Sequence, residues 1–160
     1  TQANMLNAAQ GEGDVTGSTD GGCPPFDVVT GERTISMRSP KASGDDMMAI
    51  SHRGEITKTA RECRPMTNGV AIKLGFAGRV LLGPEGKPGN MMLPVKITVV
   101  DASKKTVKTE ALKIAVSVPP GETAGYFSMV REIVVVPPGG ASIGGYKVFI
   151  AFDRSVPGAS

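Results

Sequence analysis

The side chains able to do chemistry are few and widely spaced. His52 is the sole histidine of 160 residues, flanked by Ser51 and Arg53 in a polar stretch. Serine hydrolysis needs a nucleophile, a histidine base and an orienting acid. No Gly-x-Ser-x-Gly elbow occurs, so His52 reads as a surface histidine. A thiol mechanism would need Cys23 or Cys63 beside His52 with a lowered pKa. Zinc takes three or four Cys and His ligands, and the sequence has three such residues in total. Asp45-Asp46 could attract a cation, yet two adjacent carboxylates do not supply a calcium shell. The expectation is therefore a non-enzymatic chain with no cofactor and no metal.

Cys23 and Cys63 make an even pair in a chain rich in turns. In an exported protein they would form one disulfide, which removes both thiols from chemistry; in a cytosolic protein they would stay reduced. No run of 18 apolar residues exists, so no transmembrane helix is expected. The start at Thr1 shows neither the basic nor the apolar region of a signal peptide.

Net charge is +3, unevenly placed. Residues 1–22 hold Glu12, Asp14 and Asp20 with no Lys or Arg, a charge of −3, so the other 138 residues carry +6. A +6 body would suit an anionic polymer, but its cations are scattered singly apart from Lys104-Lys105. They read as solvated strand faces. Nucleic-acid binding on a β surface calls for exposed aromatics among the cations. Tyr126 and Tyr146 sit in strand patterns that core packing explains, so nucleic acid is not an expected partner.

The elements that must hold these residues are strands. Glycine (21) and proline (12) are abundant and aromatics are 4%, which suits short strands and tight turns rather than a bundle. Phe26–Val29 and Arg33–Met37 read as strands around Thr30-Gly31, and Gly54–Cys63 as a third. Asn68-Gly69 predicts a two-residue type I′ hairpin turn, which needs positive φ at both positions. Val70, Ile72, Leu74, Phe76, Gly78, Val80 and Leu82 then recur at every second position, one buried face of a long strand. Ala71, Gly75 and Ala77 fall on the other face, where another backbone could approach or where the sheet simply bends.

Gly83–Gly89 reads as a hairpin loop. Leu93, Val95, Ile97 and Val99 alternate next, with Pro94 marking a strand start or an edge. Further strands carry Leu112–Val118, Tyr126–Val136 and Tyr146–Phe152. The fold expected is a single antiparallel β-sandwich, immunoglobulin- or fibronectin-like, with seven or eight strands. It spans 23–153, after a flexible or extended arm (1–22) and before a tail (154–160). Met5 and Leu6 are the arm's strong hydrophobes, suited to docking on a partner, though a plain tether reads equally well.

Several motifs carry a resemblance: Cys23-Pro24, Thr59-Ala60-Arg61-Glu62-Cys63, Gly78–Pro84 with Gly89, Val118–Thr123 and Val134–Gly140. Over about residues 23–153 the chain resembles small exported proteins and lipoproteins of the alphaproteobacterial cell envelope, a group of largely unassigned function. The resemblance implies an exported β-domain, periplasmic or associated with the outer membrane, with a disulfide and no active site to carry over. The function expected is an accessory or structural subunit of a larger envelope assembly. It would dock other envelope proteins through Met5, Leu6 and the face of Ala71, Gly75 and Ala77. An anionic-polymer module and a tethered, lipoprotein-like domain with no ligand are the other readings.

Overall fold

The computed structural model describes residues 22–38 and 47–160. Met5, Leu6 and the Asp45-Asp46 pair lie outside the described residues. Eight strands follow in chain order: β1 (Phe26–Val28), β2 (Thr34–Arg38), β3 (Ile50–Pro65), β4 (Val70–Leu82), β5 (Gly89–Val100), β6 (Thr106–Val118), β7 (Ala124–Val135) and β8 (Lys147–Phe152). They form two four-stranded sheets, ordered β1-β8-β5-β6 and β2-β3-β4-β7. All pairs are antiparallel except β1 with β8.

Period-two patterning builds the core as expected. Ile72, Leu74, Phe76 and Val80 of one sheet pack towards Leu93, Val95, Ile97 and Val99 of the other, all essentially solvent-free. Each such side chain contributes about 1.5–3 kcal/mol by leaving water. Phe26 meets Phe76 edge to face, with ring centres 6.4 Å apart, and so ties the sheets together. The described residues form an all-β sandwich of eight strands.

Connectivity differs from the local reading in several places. The turn at Thr30-Gly31 carries the chain from one sheet to the other, because β1 pairs β8 and β2 pairs β3. Gly83–Gly89 is likewise a crossing and not a hairpin loop, since β4 and β5 lie in different sheets. Asn68-Gly69 does mark the β3–β4 turn, but neither residue has positive φ. The loop is instead closed by the Met66 N–H donating to the Gly69 carbonyl at 2.9 Å. Glycine is needed there because a Cβ would stand 2.3 Å from the Val135 carbonyl oxygen.

Pro94 neither starts a strand nor lies on an edge strand; β5 is central, between β6 and β8. The Asp153 N–H, just past the end of β8, donates to the Pro94 carbonyl at 3.0 Å. Nitrogen and carbonyl of one strand residue point the same way, so the missing donor falls where the ladder has ended. Residues 154–160 are not a loose tail. The Arg154 guanidinium donates to the Thr34 carbonyl at 2.7 Å, and Ser36 and Ser160 exchange backbone bonds at 2.9 and 3.0 Å. The segment covers the free edge of β2.

Candidate functional site

Two sheets leave two open sides, and one of them lies between edge strands β6 and β7. At one end of this side the backbones nearly touch. A Cβ on Gly125 of β7 would stand 2.3 Å from the Ser117 carbonyl oxygen of β6. Midway, Arg131 of β7 donates to Glu110 of β6 at 2.7 Å. That bond holds the Glu110 carboxyl below the ordinary carboxylate range. Both residues occupy the core-facing positions of their strands, where a charge hinders a further strand from slipping in.

Past the ion pair lies the end of this side where β6 begins and β7 stops. A groove of about 280 Å³ opens there, lined by Val99, Val107, Lys108, Val134, Val135, Val136, Pro138 and Tyr146. Val107, Val134 and Val136 are 48%, 43% and 52% exposed, which makes the walls apolar and accessible. Lys108 is the sole charged residue of the lining. β6 pairs only β5 and β7 pairs only β4 among the described strands, so each is the outer strand of its sheet. Such an arrangement can take an extended apolar segment, with ladder bonds from an edge and side chains in the groove.

The residues singled out from sequence fare differently. Cys23 and Cys63 are joined in a disulfide, with Cα atoms 5.6 Å apart, which ties the entry of β1 to the end of β3. Ala71 is 1% exposed, Gly75 is buried and Ala77 half-buried. Their facing neighbours on β3 and β7 include Arg64 and Val134, Ala60 and Val130, Lys58 and Ser128. The small residues therefore floor the outer face and offer little open surface for another backbone. Gly78 is explained internally, because a Cβ would stand 2.0 Å from the Glu55 carbonyl oxygen at a β3 bulge. Tyr126 is not a core residue; it is 75% exposed beside Arg79. Tyr146 is buried as expected.

His52 is not the surface histidine expected. It is half-buried, Ser51 Oγ lies 2.9 Å from its Nδ1, and burial lowers its pKa. Among the described residues no group of three or more His, Cys, Asp or Glu is placed to hold a metal ion. No described helix is long and apolar enough to cross a membrane.

The groove was missed in the sequence although it left a signal. Val134-Val135-Val136 breaks the alternation with apolar residues on both faces of one strand end, and Val107 stands among Thr106, Lys108 and Thr109. Apolar residues at outward positions mark contact surfaces.

Eight strands in two layers among the described residues define the class, a β-sandwich. No family model matches the chain, and no curated protein matches it. Among solved structures it is similar to a DUF1425 family member from Shewanella sp. pv-4, at 13% identity over 76% of this chain and 98% of that one, with a TM-score of 0.30.

Proposed function

We propose that this protein is a non-enzymatic subunit of an envelope assembly that binds an extended apolar segment of a partner protein at the β6–β7 side. The observation that carries the reading is the groove between two outer strands, walled by exposed Val107, Val134 and Val136. Three exposed β-branched residues in one place cost solubility unless something covers them. Strand addition supplies main-chain hydrogen bonds at the edge and side-chain selection in the groove. The disulfide fits an oxidising, exported setting, in line with the resemblance to envelope proteins. Docking through the arm residues Met5 and Leu6 remains part of the proposal, whereas the face of Ala71, Gly75 and Ala77 gives way to the groove. The cationic body gives less support to a polymer site, because Arg64, Arg79 and Arg131 are each paired with a glutamate.

Site-directed photocrosslinking in the native envelope tests the reading. A photoreactive residue at Val107 or Val134 should give one discrete protein adduct, absent when it is placed at Lys96 on β5. Val136→Glu in the groove should reduce the adduct at least about tenfold, the effect of placing an unpaired charge against an apolar partner. A chain recovered without any adduct from both groove positions, or an adduct untouched by Val136→Glu, overturns it.

A further inference from the structure

At the opposite end of the sandwich the sole imidazole lies against a serine hydroxyl. Ser51 Oγ donates its single hydrogen to the Met37 carbonyl at 3.1 Å. The same oxygen lies 2.9 Å from His52 Nδ1, and with the serine hydrogen on the Met37 carbonyl the imidazole proton is assigned to Nδ1. Nε2 is then left with a lone pair. That atom is shut off from solvent and has no hydrogen-bond partner among the described residues. A buried acceptor without a partner is disfavoured, so its persistence calls for an explanation.

What surrounds this end is soft. Met37 stands directly across the β2–β3 ladder from His52, half-buried and packed on the core. Facing strand residues have Cα atoms about 4.5–5.5 Å apart. Position 54 of β3 faces β5 across the layers, since a Cβ at Gly54 would sit 2.9 Å from Leu93 Cδ1. β3 and β5 run in the same sense: β4 is antiparallel to β3, and the short crossing from β4 starts β5 at the end where β4 stops. Two residues back along each strand, His52 therefore shares its layer with Met91, also half-buried and packed on the core. Leu82 lies across from His52 on the remaining side.

We infer that this end of the sandwich binds Cu(I), through His52 Nε2 and the thioether sulfurs of Met37 and Met91. Thioethers select Cu(I) over hard cations, and imidazole suits copper. Zinc and calcium would want the thiolates and carboxylates that the described residues do not gather. The long, flexible methionine side chains can bring sulfur to a fixed nitrogen. Ser51 is a positioning residue: by accepting from Nδ1 it sets the tautomer and ring orientation, as partners of metal-bound histidines do.

The test is an anaerobic competition for Cu(I) between the whole chain and bathocuproine disulfonate. One equivalent of Cu(I) should be retained. His52→Gln, Met37→Leu and Met91→Leu should each weaken retention at least about tenfold, the lower range for loss of even a supporting bond at a metal site. Met47→Leu with Met48→Leu, at exposed positions, should leave it unchanged. Long-range proton–nitrogen NMR on the unmodified chain reads the site without relying on variants: Cu(I) should shift the Nε2 resonance. Failure to retain Cu(I), equal retention in His52→Gln, loss in the Met47–Met48 variant, or an unmoved Nε2 resonance each overturns the assignment.

Discussion

The two open sides of the sandwich are closed by different chemistry. On the first side β3 outruns the short β2, and its second half is flanked by β1 of the other sheet. Thr59 Oγ1 donates to the Phe26 carbonyl at 3.1 Å there, and the Cys23–Cys63 disulfide adds a covalent clasp. On the second side β6 and β7 share a close backbone approach, one ion pair and then a groove. A fixed side and a yielding side teach where the molecule can accept a partner. Strand addition at the clasped side would have to displace a covalently tied strand. At the β6–β7 side no covalent tie stands in the way among the described residues.

The largest effect should come from breaking the clasp. Replacing both cysteines, Cys23→Ser with Cys63→Ser, opens a loop spanning 40 residues of sequence separation. On the chain-entropy account that loses about 4 kcal/mol, a large part of the roughly 5–15 kcal/mol of an ordinary domain. Urea unfolding of the oxidised protein and the double variant measures it. A difference under about 1 kcal/mol would mean that the first side is held by packing and the contrast between the sides is false.

A smaller loss is expected where the second side is tightest. Gly125→Ala would push a methyl group against the Ser117 carbonyl and separate β7 from β6 at their close end. Overpacking of this kind costs about 1–3 kcal/mol. The groove at the far end should also change, so photocrosslinking from Val134 should weaken along with the unfolding midpoint. A neutral Gly125→Ala would show that the two strands part without resistance.

Much of this comparison was hidden in the sequence, for identifiable reasons. Strand positions were legible because Leu93, Val95, Ile97 and Val99 alternate cleanly, and alternation reports one buried face. The cysteine pair was legible as well. Which strands are neighbours was not, because a glycine- and proline-rich turn looks the same whether it closes a hairpin or crosses between sheets, as Gly83–Gly89 shows. The β3 bulge between Ile56 and Lys58 swaps which residues face inward, so no single alternation rule covers that strand. His52 lies before the bulge on the inward face, which its polar neighbours Ser51 and Arg53 conceal. Tyr126 misled in the opposite direction, since a strand pattern gives the period and not which face is covered.

The smallest effect, and the finest test of the contrast, concerns the ion pair in the middle of the yielding side. Arg131 holds the Glu110 carboxyl low chiefly by its hydrogen bond, with its charge assisting. A carboxyl whose folded pKa is depressed binds protons less readily folded than unfolded. Its stabilisation is full above the ordinary glutamate value of about 4.3 and is lost as pH falls through the folded value. Residue-resolved NMR titration should therefore place Glu110 below its ordinary value, and Arg131→Gln should return it upward. Asp101 and Asp153 are also lowered, by the hydroxyls of Ser103 and Ser155, so a whole-protein acid midpoint would blur the result. Because both partners are partly exposed, added salt should shrink the Glu110 shift, whereas the disulfide's contribution should not respond to salt. A Glu110 that titrates normally in the unmodified chain would mean that nothing pins the middle of the β6–β7 side, leaving its two edges free along most of their length.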